Sequence, residues 1–371
     1  MLRDGAAHSS LNLNRGIDGC NIAPLSADES LICAGASRGG SLMSNDTRGF
    51  FQTLIGDGRP LLSLTGLCLI FSGGFALFLS ATAHFLPHDI AFLGMTAEQL
   101  CAIHQCRVVH FMIHDRVAFG GSLIAVGLLY LWMAEFPLRH SQAWSWWLFV
   151  VTGTIGFGSF LTYLGYRYLD TWHGIATLML LPCFILGLIL SYRSLPKPIG
   201  ISSLFKPSVN VRWTSPFGIG RALLLATAIG MIMGGLTIMV VGMTTVFVPQ
   251  DLTFMGMTPG ELQAINPRLI PLIAHDRSGF GGGIATCGIA VFFCVWCGTP
   301  SRSLWQVLCL SGIAGFSAAI GIHPVVGYLD FTHLAPAVIG AGIFIIGLAL
   351  CFKKMYLGDE ELPRLRVEID N

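Results

Sequence analysis

Charged side chains are scarce in this chain. Asp, Glu, Lys and Arg make up 11% of its 371 residues, against 53% apolar ones, where a soluble domain carries about a quarter charged residues. That shortage, with a mean hydropathy of +0.69, excludes an ordinary water-soluble fold and indicates a bilayer protein. The apolar runs lack period-two alternation, which excludes a transmembrane β-barrel. No P-loop, dinucleotide fingerprint, zincin motif or basic nucleic-acid surface occurs, so nucleotide chemistry and nucleic-acid binding are not expected. Residues 1–59 lack the apolar core of about 7–15 residues that a secretory signal needs. Containing Gly, Ser and Asn without helical or strand periodicity, they are expected to be a disordered lead, with Met43 as an alternative start.

What the sequence does contain, it contains twice. Phe85-Leu86-Pro87-His88-Asp89, Gly94-Met95-Thr96, Arg107, His114-Asp115-Arg116 and Phe119-Gly120-Gly121 return as Phe247-Val248-Pro249-Gln250-Asp251, Gly256-Met257-Thr258, Arg268, His275-Asp276-Arg277 and Phe280-Gly281-Gly282. Tyr168-Leu169-Asp170-Thr171-Trp172-His173 returns as Tyr328-Leu329-Asp330-Phe331-Thr332-His333, and the offset slips only from 162 to 160. The residues kept in both copies are largely ionisable, in a chain that has few of them.

Eight stretches, roughly 60–84, 108–134, 143–166, 171–192, 218–247, 270–297, 303–326 and 331–353, reach the ~20 apolar residues that cross the hydrocarbon core. The expected fold class is therefore an all-α integral membrane protein of eight transmembrane helices, built as two four-helix repeats, 60–193 and 218–355. A linker, 194–217, joins them and a polar tail, 356–371, follows. Four helices is an even number, so the two repeats share one orientation, a parallel topology. Arg193, Lys197, Lys206 and Arg212 in the linker, and Lys353, Lys354, Arg364 and Arg366 near the end, predict that both termini lie on the cytoplasmic side of the plasma (inner) membrane.

Nine acidic residues lie between positions 60 and 355, and only Glu135 falls on the inner side. The candidate polar site therefore lies near the outer face and comprises Asp89, His114, Asp115, Arg116, Asp170 and His173 with Asp251, His275, Asp276, Arg277, Asp330 and His333. Each His-Asp-Arg triplet follows a run of six residues that is apolar but for His110, about 9 Å of helix. Ionisable groups at that depth face the bundle interior and pair with one another. Successive helix residues point about 100° apart, so a triplet addresses several neighbours at once. The expected neighbour is the Tyr-Leu-Asp-x-x-His motif, with His114 and Asp115 beside Asp170 and His173, and His275 in the same arrangement in the second half. Asp170 and Asp330 also stand where helix N-caps stand. Thr96–Gln99 and Thr258–Glu261 have the spacing of capping boxes in loops expected to fold over the outer end. For a metal ion the candidates are His110, His114, His173, His275 and His333. His110 and His114, at i and i+4, share a helix face and favour the first half. His323 occurs only in the second half.

The repeated F-x-P-x-D, G-M and H-D-R pattern, over about residues 60–355, resembles that of bacterial multi-pass membrane proteins of no established activity. The resemblance implies a multi-pass fold and no function. The residues themselves leave three classes of protein, all with the lipid bilayer as partner. The first transports or binds a proton, a cation or a small polar solute at the outer face. The second is a membrane-bound metal-dependent or redox enzyme, and the third a non-catalytic scaffold or accessory subunit. Cys294-Val295-Trp296-Cys297 reads as apolar filler rather than a redox motif, and Cys101 and Cys106 are placed to pair in an oxidising compartment.

Overall fold

The computed structural model describes residues 49, 55–82, 85–166, 168, 171–197 and 200–358, without the side chains of Tyr163 and residues 171–173. Most of the expected N-terminal lead, the tail from residue 359, and Asp170 lie outside the described residues. Among the described residues there is no strand, and eight helices are long and apolar enough to cross a membrane. The chain is an all-α multi-pass membrane protein.

In chain order the helices are α1 (Arg59–Ala81), α2 (Pro87–Leu93), α3 (Ala97–Cys101), α4 (Arg107–Met133), α5 (Ala143–Phe160) and α6 (Thr171–Ser194). The same order repeats as α7 (Pro216–Met243), α8 (Pro249–Met255), α9 (Pro259–Ile265), α10 (Leu269–Cys297), α11 (Arg302–Val326) and α12 (Phe331–Phe352). Pro60, Pro87, Pro216, Pro249 and Pro259 stand in the first turns of their helices, where a missing N–H costs nothing. Gly94 and Gly256 end α2 and α8 with φ of 70° and 66°, the left-handed conformation that glycine adopts without a Cβ penalty. Both expected capping boxes form: Thr96 Oγ1 accepts from the Gln99 N–H, and Thr258 Oγ1 from the Glu261 N–H. The linker is not a bare connection, since Leu204 is buried and the Trp296 indole donates to the Phe205 carbonyl. The helices on either side of it also run further than expected, to Ser194 and from Pro216.

The two triplet-bearing helices, α4 and α10, are the most buried of the spans and form the centre. Each half's first helix packs on its own central helix, α1 on α4 and α7 on α10. The third helices are exchanged: α11 packs on α4 and α5 on α10. The Phe-Gly-Gly motif explains how both fit. A Cβ on Gly120 would lie 2.9 Å from the Gly73 carbonyl of α1, and one on Gly121 2.3 Å from Ala318 of α11. In the second copy, a Cβ on Gly281 would lie 2.3 Å from the Met239 nitrogen of α7, and one on Gly282 1.9 Å from Ser159 of α5. In each copy the first glycine admits the helix of its own half and the second admits the helix of the other. Small residues permit this approach between membrane helices, whose association rests on packing.

The Gly-x-x-Gly-Phe repeats serve a narrower purpose. A Cβ on Gly153 or Gly312 would meet the ring of Phe184 or Phe344 at 2.4 Å, whereas Gly156 and Gly315 have room for one. Phe184 is itself boxed in by Tyr130, Phe149 and Phe157. Gly153→Ala and Gly312→Ala should each destabilise the protein by about 1–3 kcal/mol through overpacking. Gly156→Ala should stay within about 0.5 kcal/mol. Thermal unfolding in detergent reads the difference, and equal effects at Gly153 and Gly156 would contradict the ring-seat role.

Candidate functional site

The short helices α2 and α8 turn one carboxylate each into the bundle. Asp89 and Asp251 sit in the first turns, where each accepts the N–H of the residue before the helix, Leu86 at 3.2 Å and Val248 at 2.8 Å. Both are almost wholly buried, and each meets an arginine of its own half. Arg116 Nη1 donates to Asp89 at 2.6 Å and Arg277 Nη1 to Asp251. Each arginine also reaches the other half: Arg116 Nε donates to Asp276 at 2.8 Å, and Arg277 Nε lies 3.5 Å from Asp115. A tyrosine completes each set, Tyr168 donating to Asp89 at 2.5 Å and Tyr328 to Asp251 at 3.0 Å.

Burial acts to raise the Asp89 carboxyl, but Arg116 and the Tyr168 hydroxyl hold it below the usual carboxylate range. Burial and then the facing carboxylates push the Tyr168 and Tyr328 hydroxyls well above the ordinary tyrosine range, so both remain donors. Among the described residues the network thus holds four carboxylates and two guanidiniums, 2 − 4 = −2 in formal charge. A buried excess of negative charge attracts a cation.

The described contacts of the triplet histidines cross between the halves, whereas the neighbours expected of His114 (Asp170 and the side chain of His173) lie outside what is described. His114 faces the second half: its Nε2 is 3.2 Å from His323 Nε2, and its ring lies 5.3 Å from that of His333 and 5.5 Å from that of Tyr328. His275 correspondingly stands 5.1 Å from Tyr168 of the first half. The exchange of the third helices is the physical reason, because α11 brings His323 and the start of α12 against α4. Asp170 lies outside the described residues and the side chain of His173 is not described, so the first-half motif is represented in this network by Tyr168. Asp330 is exposed and caps α12, accepting the His333 N–H at 2.8 Å. Bonds from the Thr332 hydroxyl and that N–H lower its carboxyl pKa.

His114, His323 and His333 each offer a nitrogen, and these atoms all lie within 4.8 Å of one another. His114 and His323 are buried. The group differs from the expected set. His110 and His275 stand outside it, although His110 does lie one turn before His114 on α4, and His323 enters as the third member. Its first-half counterpart at the same offset is Tyr163, so the one signal for His323 was a break in the repeat. Tyr168 and Tyr328 carried a signal too, by recurring in register with the acids they bind.

Outside the polar core, Arg107 and Arg268 each reach a backbone carbonyl of the other half. Arg107 donates to the Phe254 carbonyl at 3.5 Å and Arg268 to the Phe92 carbonyl at 2.7 Å, each closing the last turn of the other half's short helix. Cys101 and Cys106 form a disulfide, while Cys294 and Cys297 are free and buried. No protein-family model, curated protein or solved structure matches the chain.

Proposed function

We propose that the protein is a metal-dependent membrane enzyme that holds a first-row transition-metal dication on His114, His323 and His333. The observation that carries this reading is the pair of Nε2 atoms 3.2 Å apart. His114 Nδ1 lies 3.0 Å from Asp115 and His323 Nδ1 2.7 Å from the Tyr328 carbonyl. A carboxylate and a carbonyl only accept, so both Nδ1 atoms carry the proton and both Nε2 atoms present lone pairs. Two lone pairs at that distance repel unless a cation lies between them. Ligand nitrogens about 2.0–2.1 Å from a tetrahedral zinc are about 3.3 Å apart, and oxygen acceptors on the remote nitrogens are the usual outer-shell support of metal-bound histidine.

Three nitrogens leave a fourth position for water or substrate, as catalytic zinc sites do and structural ones do not. A dication would also balance the formal −2 of the surrounding network. The transport reading has less behind it. The polar groups gather at one end rather than at the midplane, where transporter sites lie, and Glu135 at the other end is engaged by Arg59, Ser63 and Arg139. Metal analysis of the purified protein, with the spectrum of its Co²⁺-exchanged form, tests the proposal. About one ion per chain and a tetrahedral cobalt spectrum are expected, whereas a metal-free protein that takes up no cobalt would leave a shared proton between the rings.

We further place the protein in the plasma membrane with both termini cytoplasmic and the metal site at the outer face. The basic residues of the linker and tail support this, as does the Cys101–Cys106 disulfide in the loop expected to face an oxidising compartment. A periplasm-active reporter fused after Asn371 should be silent, and one inserted within 96–104 active. The reverse pattern would overturn the orientation.

A further inference from the structure

A cavity of about 380 Å³ lies among α1, α4, α5 and α6 of the first half and α10 of the second, within the ~300–1,000 Å³ range of small-molecule sites. Its outer end is the polar network: His88, Asp89, Arg116, Tyr168, His275 and Asp276 all line it. From there it follows α4 past Leu123 and Val126 to Tyr130, about 20 Å along the helix from Arg116. The length below the polar end is mostly apolar, with Phe119, Phe157 and Leu180 among its walls. Its side lies between α1 and α6, which share less contact than their second-half counterparts α7 and α12. Phe75 and Ala176 line it and are themselves exposed, so the cavity reaches the surface that the bilayer would cover.

Two further observations distinguish this space from loose packing. Thr286 is only 3% exposed, lines the cavity and has a hydroxyl with no hydrogen-bond partner. A buried hydroxyl left in that condition is costly unless water or another hydrogen-bonding group occupies the space beside it. Thr177 Oγ1, also lining the cavity, is in the same condition, whereas at the inner end Tyr130 donates to Thr152 and Thr152 to the Leu148 carbonyl.

We infer that this cavity binds a long-chain amphiphile drawn sideways from the bilayer, with a neutral or cationic, hydrogen-bond-donating head held at the Asp89–Arg116–Asp276 end. The tail lies along α4 and α5. An anionic head is disfavoured, because the only guanidinium among the described residues lining the cavity, Arg116, is already engaged by two carboxylates, which makes 1 − 2 = −1 there. The carboxylate oxygens keep acceptor capacity beyond that ion pair, which suits an amine or hydroxyl. This site is separate from the three-histidine group and does not depend on it.

Photoactivatable hexadecanol and hexadecylamine, presented to the full chain in detergent micelles or nanodiscs, test the inference. Both should label peptides 112–126 and 152–160, saturably and in competition with the unlabelled compound. Photoactivatable hexadecanoate should label them about tenfold less or weaker still. Gly156→Leu should abolish the labelling, since Gly156 lines the cavity and an added Cβ meets nothing closer than Thr286 Oγ1 at 3.6 Å. Equal labelling by the carboxylate, or labelling that does not saturate, would overturn the proposal on the unsubstituted protein alone. Labelling that survives in a folded Gly156→Leu variant would do the same.

Discussion

Arg116→Met should cost about 3–5 kcal/mol of stability, the penalty for removing one partner of a buried charge set. Arg116 is the only described group that bridges Asp89 at 2.6 Å and Asp276 at 2.8 Å, so its loss leaves two carboxylates facing each other inside the bundle. Arg277→Met should behave alike, since Arg277 joins Asp251 to Asp115. Arg107→Met, by contrast, removes a rim contact to a carbonyl at 3.5 Å and should stay within about 0.5 kcal/mol. The effect of pH has a definite sign. In the unsubstituted protein the Asp89 carboxyl is held below its ordinary value, so its contribution is present above the unfolded pKa and fades as pH falls through the folded one. Without Arg116, burial raises that carboxyl, the folded state binds more protons than the unfolded, and stability falls as pH rises. The deficit should therefore shrink on acidification below about pH 5. Thermal unfolding in detergent across that range checks it, and a deficit independent of pH would mean that Arg116 acts by packing alone.

His323→Ala should remove the bound metal, whereas His110→Ala and His275→Ala should retain it. Loss of an outer-shell partner lowers metal affinity by about 10–100-fold, and loss of one of three nitrogen ligands should exceed that. The contrast is demanding because His114 and His275 occupy equivalent positions in identical triplets, and the chain favours His114 only through His110, which stands outside the group. The geometry gives the reason: His323 Nε2 lies against His114, and the position equivalent to His323 in the first half is Tyr163. Metal content per chain, measured alongside unfolding temperature, separates the outcomes. If His114→Ala and His323→Ala change stability but the unsubstituted protein binds no metal, the polar groups only hold the helices together and the scaffold reading prevails.

The division between what could be read along the chain and what could not follows the range of the forces involved. Apolar length and the scarcity of charge determined eight spanning helices, because the bilayer imposes a length on each segment separately. Local hydrogen bonding likewise determined the capping boxes at Thr96 and Thr258 and the cap at Asp330, all of which span three residues. The duplication marked the acids and arginines that must find partners in an apolar bundle, but not which partners. That choice belongs to the tertiary structure. The paired glycines of each Phe-Gly-Gly motif admit one helix from each half, α5 and α11 change sides, and Arg116 consequently meets Asp276 while His114 meets His323. A repeat read along the sequence suggests two equal sites. Among the described residues, packing across the halves, together with histidine at position 323 where the first half has Tyr163, gathers three nitrogens at one of them, while the other opens onto a cavity.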